Sequence, residues 1–304
     1  MDPRDRVRQA DIRLLRVFQT IVQAGGISAA ELVLNIGRST ISRHLSDLEL
    51  RLGVKLCERG PAGFIVTDEG QRVLEAANRL IASIDNFTVE VNEIQDRLVG
   101  TLSIALFDMT LTNPMANVSA AFERFDLLAP DVGLQVRMLG TNDTEKSVLN
   151  GEVHVGIVPL HRKSASLDYF PLYSEDMYLF CGSSHEFFGR NEKKISPHDV
   201  RLVRYAGLAY QSPSMLISQK EKLNRQAEVD DQEALAILIL SGRYIGFLPE
   251  HFAKPYVDAG RLKRIQPDRF HYSSDFHAII KRQPKPSRIA QTFLDCLCEA
   301  HEQK

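Results

Sequence analysis

Gly25-Gly26-Ile27-Ser28-Ala29-Ala30-Glu31-Leu32-Val33-Leu34-Asn35-Ile36-Gly37-Arg38-Ser39-Thr40-Ile41-Ser42-Arg43-His44-Leu45 decides how this 304-residue chain begins to fold. A short helical run from Ser28 to Leu34 lies between a glycine pair and a tight Asn35-Ile36-Gly37 connection, and another helix follows at once. In that helix Ile41, Leu45, Leu48 and Leu52 recur at spacings of 4, 3 and 4, which makes one buried stripe. Arg38, Ser39, Thr40, Ser42, Arg43 and His44 lie mainly off it, and Gly53 ends the helix. Upstream, Leu14, Leu15, Phe18, Ile21 and Val22 predict a packing helix with Asp11 as N-cap, stopped at Gly25-Gly26.

Small hydroxyls and arginines opening a helix suit a major groove, because bulk there would hold the backbone away from the base edges. Arg38 and Arg43 are the foremost candidates for base or phosphate contact. Ser39 and Ser42 can donate to either, and Ser28 sits where an exposed helix N-terminus attracts a phosphate. Thr40 shares that face, although taken singly Thr40 and His44 read as polar surface. Downstream, Val54–Cys57 and Phe64–Val66 are predicted as strands of a hairpin wing, with Arg59 in the connection placed to reach a backbone phosphate. Arg4, Arg6 and Arg8 form either an arm along the duplex or an exposed tail.

Net charge is -2, but residues 1 to 66 carry +3 and the remainder -5, which puts the basic balance on the predicted nucleic-acid end. No apolar run approaches the roughly 20 residues that span a bilayer, and Met1–Ala10 is too polar for a signal peptide, so a cytoplasmic location and no membrane partner are expected. The cysteines Cys57, Cys181, Cys296 and Cys298 lack metal or disulfide spacing and read as reduced core thiols. Gly-x-x-x-x-Gly-Lys, Gly-x-Ser-x-Gly and His-Glu-x-x-His are absent, and the histidines do not cluster. Neither an enzyme, a metal site nor a cofactor is expected.

The chain resembles the LysR-type transcriptional regulators. The resemblance runs in register through Gly25–Ala30, Leu34-Asn35-Ile36, Ile41-Ser42-Arg43, Leu48-Glu49, Leu52–Leu56 and Glu58-Arg59 to Thr67–Gly70. It implies a winged helix-turn-helix on double-stranded promoter DNA, with Arg38, Ser39, Ser42, Arg43 and Arg59 approaching the duplex. Three positions depart from the family pattern: Gly37 replaces a usual Ser cap, Ser39 a common Pro, and Glu31 a small alanine. Gly as an N-cap costs only a few tenths of a kcal/mol relative to Ser.

From Thr67, an N-cap followed by Asp68 and Glu69, the chain runs without proline to Gly100, predicting a linker helix over 67–99. Ala77, Leu80, Ile84, Phe87, Val91, Ile94 and Leu98 alternate at spacings of 3 and 4, the seam of a coiled coil. Such a helix, roughly 45–50 Å long at 1.5 Å per residue, is too long for a 66-residue domain to cover, so a dimer is expected. The competing reading is an amphipathic helix lying on its own C-terminal domain. Family resemblance adds a tetramer and RNA polymerase as a further partner.

Beyond residue 100, strand-like runs alternate with helical ones: 101–107, 134–139, 153–158, 177–181, 208–210, 245–248 and 276–281 against 113–125, 141–149, 197–203, 216–225, 232–240 and 287–300. The expected architecture is therefore α+β and multidomain: the winged helix-turn-helix over 1–66, the linker helix, and a two-lobed α/β effector-binding domain over 100–304. Lobe I takes about 100–162 plus 273–304 and lobe II about 163–272. The family resemblance implies the same plan, similar to periplasmic binding proteins. Ligands of open α/β sheets bind beyond strand C-termini, which selects Asp108, Thr110, Thr112, Thr141, Asn142, Gln211, Ser212 and, after its strand, Phe247. A carboxylate at Asp108 either caps a helix or favours a cationic ligand, whereas His161-Arg162-Lys163 argues for an anion or is a solvated crossover. The expected function is a sequence-specific regulator controlled by a small-molecule effector. The alternatives are a constitutive DNA-binding oligomer that senses no ligand, and a carrier or enzyme with a vestigial helix-turn-helix.

Overall fold

The computed structural model describes residues 9–60, 63–94, 98–209 and 213–302. Two units emerge, Met1–Thr88 with Asn150–Glu152, and Val89–Leu149 with Val153–Lys304.

In the first unit, α1 (Gln9–Gln23), α2 (Ile27–Leu34) and α3 (Arg38–Leu52) enclose a core around Phe18, Ile21, Ala30, Ile41, Leu45 and Leu48. Asp11 lies inside α1 rather than capping it. The connections use left-handed backbone where the sequence supplies residues that tolerate it: Asn35 closes α2 at φ 51° and Gly53 closes α3 at φ 70°. The wing strands are β1 (Cys57–Gly60) and β2 (Gly63–Val66), so β1 begins three residues later than expected and takes up Glu58, Arg59 and Gly60. Leu56 is spent instead on the core, fully buried, its N–H donating to Glu49 Oε1 at 2.9 Å.

Thr67 caps α4 (Asp68–Ile94) as expected: its hydroxyl accepts from the Gly70 N–H at 2.9 Å and donates to the Lys55 carbonyl at 2.7 Å. A Cβ at Gly70 would stand 2.0 Å from the Leu56 carbonyl oxygen, so only glycine lets α4 start this close to the wing. The expected seam divides. Ala77, with Ile81 one turn on, is buried in the first unit's core, whereas Leu80, Phe87 and Val91 are 37 %, 65 % and 39 % exposed. The helix is described to Ile94 rather than residue 99, and Leu98 leaves the seam to pack on the core of the second unit.

The second unit follows as β3 (Gly100–Leu106), α5 (Val118–Leu128), β4 (Val132–Met138), α6 (Thr141–Asn150), β5 (Val155–Pro159), β6 (Leu167–Gly182), α7 (Pro197–Leu202), β7 (Arg204–Leu208), α8 (Pro213–Lys220) and β8 (Asn224–Val229). It ends with α9 (Gln232–Leu240), β9 (Ile245–Pro249), α10 (Glu250–Asp258), β10 (Leu262–Arg264), β11 (His271–Lys281) and α11 (Arg288–Glu302). The sheet order is β4-β3-β5-β11-β6-β9-β7-β8, with β10 beside β6. Lobe I is the parallel set β4, β3 and β5, and lobe II the parallel set β9, β7 and β8. The two expected crossovers are strands themselves: β6 and β11 pair antiparallel from His271↔Tyr178 to Lys281↔Leu167 and run through both lobes. β8, α10 and β10 have no counterpart in the sequence reading.

Lobe I packs Leu102, Ile104, Phe125, Val155, Ile157 and Phe276 under α11, whose Phe293 meets Phe125 edge-on at 5.4 Å. The C-terminal helix thus returns to the first lobe as expected. Lobe II centres on Leu179, Tyr205, Phe247, Ile265 and Phe270. Among the described residues no single helix is long and apolar enough to cross a membrane. Among the described residues no two cysteines form a disulfide, and burial raises the thiol of Cys181 to about 12.

Candidate functional site

On α3 the buried stripe faces the core and leaves Arg38, Ser39 and Arg43 exposed, with Thr40 and Ser42 half-buried beside them. Ser28 is exposed in the first turn of α2. His44 is half-buried with Nε2 shielded from solvent, which removes it from the exposed face. The departures at Gly37 and Glu31 meet at the start of α3. Gly37 caps α3 with backbone alone, its carbonyl accepting from the Thr40 N–H at 2.9 Å, and the Glu31 carboxylate reaches from α2 to accept from the Arg38 N–H at 3.2 Å, a first-turn donor that a Ser cap would leave open. Arg59 sits in β1 opposite Phe64. Its side chain, like Arg4, Arg6 and Arg8, lies outside the described residues.

This surface presents guanidinium and hydroxyl donors on a helix flanked by a two-stranded wing, the arrangement that enters a major groove while the wing follows the backbone.

The second unit assembles a different kind of site. Leu106 and Met138 are partners at the ends of parallel strands, so the loops carrying Asp108, Thr110 and Thr112 and the α6 start carrying Thr141 and Asn142 share one sheet edge. Asp108 reaches into lobe II: its Oδ2 accepts from the Gln232 N–H at the head of α9 at 2.6 Å. Asp231, the N-cap, accepts from the Ala234 N–H at 2.7 Å. One helix N-terminus therefore holds two carboxylates, one from each lobe. Burial, outweighing the Gln232 hydrogen bond, raises the Asp108 carboxyl from 3.8 to about 6, and the charges of Asp231 and Glu175 add to the rise.

A second link joins the same loop to lobe II. Thr112 Oγ1 lies 2.9 Å from His251 Nδ1, and His251 Nε2 donates to Glu175 Oε2 at 3.0 Å. Glu175 is on β6, its side chain only 8 % exposed. Burial raises its carboxyl above the usual range, opposed by the hydrogen bond and charge of His251 and by the Asn113 amide. Thr110 donates to the Phe107 carbonyl at 2.7 Å and closes its own turn. Thr141 is almost fully buried at the start of α6, its hydroxyl without a partner among the described residues, while Asn142 beside it is exposed.

Of the expected cleft residues, Asp108, Thr110, Thr112, Thr141 and Asn142 are brought to one edge, and Gln211 and Ser212 lie outside the described residues. Phe247 is corrected. It is fully buried between Tyr205 and Tyr272, at 6.2 and 5.3 Å, because β9 lies between β6 and β7. Glu175, Gln232, His251 and Asn113 were missed. Arg162 of the basic triplet pairs with the buried Glu145 of α6 at 3.1 Å, a structural contact. An open cavity of about 810 Å³ lies at the opposite end of lobe II, at the starts of β7 and β9, between Arg204 and Arg243. The C-terminal ends of α7 and α9 border it, where helix dipoles already favour arginine, so it needs no ligand to account for its charge.

Comparison with known proteins shows which family the two parts of the chain match. Residues 12–71 match the bacterial regulatory helix-turn-helix protein, lysR family, and residues 95–302 match the LysR substrate binding domain. The HTH-type transcriptional activator BauR of Pseudomonas aeruginosa is 38% identical over 292 residues, 96% of each chain. Full-length CbnR complexed with its target DNA superposes with a TM-score of 0.64 at 20% identity, covering 95% of this chain and 99% of CbnR. LysG of Corynebacterium glutamicum, solved with bound effector Arg, superposes with a TM-score of 0.51 at 18% identity, covering 96% and 98%. With a helix-turn-helix that exposes arginines on its third helix and a two-lobed α/β domain behind it, the chain belongs to the LysR-type family of DNA-binding transcriptional regulators.

Proposed function

We propose that this regulator is controlled by a small polar effector bound between the two lobes, and that it works on promoter DNA in the cytoplasm as a homotetramer. One observation carries the effector reading: the hydrogen bond from the Gln232 N–H to Asp108 and the one between Thr112 and His251 both join the lobes at the shared sheet edge. A ligand entering there must replace or reinforce them. It therefore shifts the balance between lobe arrangements, which is the differential interaction that effector control requires. The buried Thr141 hydroxyl at the N-terminus of α6, without a partner among the described residues, suits an anionic group on that ligand. LysG, of the same fold, holding an effector supports the reading.

Two apolar surfaces support the oligomer. The α4 face with Leu80, Phe87 and Val91 suits a dimer through the linker helix. The edge strand β4 exposes Leu134, Val136 and Met138, an edge that a second pair of subunits would cover. Arg38, Ser39, Thr40, Ser42 and Arg43, with Ser28 and Arg59, are the proposed contacts to the duplex, with RNA polymerase recruited alongside. Footprinting across target promoters tests this: Arg43→Ala lowers affinity for protected fragments by roughly 10- to 100-fold, since a bidentate base contact is worth about 1–3 kcal/mol. Unchanged affinity would remove α3 from the interface. A thermal-shift screen separates effector control from a constitutive DNA-binding oligomer, which no metabolite stabilises.

A further inference from the structure

We infer that the effector carries a protonated primary amine, held by Asp108, Glu175 and the side-chain oxygen of Gln232. The inference rests on the cleft reading above and names the chemistry of its ligand. The charged groups at this edge are carboxylates. Asp108 offers two carboxylate oxygens and takes one N–H, from the Gln232 backbone. Glu175 takes one from His251, and the buried Asn113 amide N–H, without a closer partner among the described residues, stands near it as a second donor. Gln232 is only 3 % exposed, and its side-chain oxygen has no hydrogen-bond partner among the described residues. A buried acceptor left unpaired is costly, and it stands on the residue that Asp108 already grips.

Charge points the same way. Asp108, Glu175 and Asp231 are close enough for each of the other two to disfavour the ionised Asp108, and the described contacts include no Lys or Arg against either Asp108 or Glu175. The head of α9 supplies partial positive charge, but Asp231 already uses part of it. What completes the set is one compact group with a full positive charge and several N–H donors. An ammonium fits, with three donors on a single atom. A carboxylate at the same place would meet two like charges. Combined with the anion-suited start of α6, the ligand is a small zwitterion, its amine toward α9 and β6 and its carboxylate toward Thr141.

The test uses the full-length protein and three sets of probes in calorimetric and thermal-shift titrations: linear ω-amino carboxylates with one to five methylene groups, the carboxylates of equal length lacking the amine, and the N-trimethylated forms. We expect saturable binding by at least one amino carboxylate, with affinity at least tenfold lower for its deaminated and trimethylated counterparts. Asp108→Asn is expected to lose at least tenfold in affinity for that amine while melting cooperatively. Glu175→Gln, read in the same way, gives a second answer if Asp108→Asn fails to fold. Equal binding of the deaminated acid, or full amine affinity in both variants, would overturn the amine and leave the cleft intact. Failure of every probe and of a broad metabolite screen to bind would overturn the amine and the cleft reading together.

Discussion

On α3, polar side chains stand exposed around a buried apolar stripe and wait for a partner. At the lobe junction, Asp108, Glu175, Gln232 and His251 are partly or wholly buried and are held by hydrogen bonds with one another or with their neighbours. The first arrangement separates stability from recognition: Ile41, Leu45 and Leu48 fold the helix, while Arg38 and Arg43 carry no packing. The second merges them, because Asp108 and His251 tie the lobes with the same groups that a ligand would use. Substitutions in the two regions should therefore behave differently, and three of them test that difference.

The largest effect is expected in the core of the first unit. Phe18 is fully buried, and Phe18→Ala should destabilise that unit by about 3–5 kcal/mol. Calorimetry should then show an early transition and lost DNA binding, while the second unit keeps its own melting temperature. A uniform shift of both transitions would show that the two units do not unfold independently.

Next is Asp108. Its carboxyl is at about 6 in the folded protein against 3.8 as the reference, so the fold binds a proton more readily than the unfolded chain between these values. The stability that this proton brings is fully present below 3.8 and is lost as pH rises through about 6. Asp108→Asn removes the titration. It should raise stability at pH 7.5 by roughly 1–2 kcal/mol relative to wild type, less than the full shift would give because a charged hydrogen bond is also lost. At pH 4.5 the difference should shrink, as thermal melts at both pH values will read. A variant less stable than wild type at pH 7.5 would mean that the latch is worth more than its burial costs.

The smallest effect is at Glu31. Glu31→Ala deletes the acceptor for the Arg38 N–H and should cost about 0.5–1 kcal/mol, with Gly37→Ser in the same chain adding back a comparable amount through a different donor, the Ser39 or Thr40 N–H. A serine that adds nothing would show that the backbone bond from the Thr40 N–H to the Gly37 carbonyl already satisfies that turn.

The first unit was legible because its signals are local. The 4, 3, 4 spacing on α3, the glycines at 26, 37 and 53, and Thr67 each act within a turn of helix. β8 was not, because Asn-Arg-Gln-Ala-Glu-Val has no apolar run, and Pro255 inside α10 hid a helix. The cleft was half legible. Asp108, Thr112 and Thr141 follow from strand ends, but Glu175 lies in the middle of a 16-residue strand and meets His251 across 76 positions. Gln232 meets Asp108 across 124. No periodicity announces such pairs. Phe247 was misplaced because a strand-end rule takes no account of neighbours on both sides.

The ribbon formed by β6 and β11 has a consequence for where the buried carboxylate of β6 is aimed. Its ladder slips between Phe276 and His277, where Leu172 is the unmatched residue between Pro171 and Tyr173. An extra residue of this kind bends the strand that carries it and tightens its local twist. Glu175 follows three residues later, so one unpaired position in the ribbon helps set the angle at which that side chain leaves the sheet to meet His251.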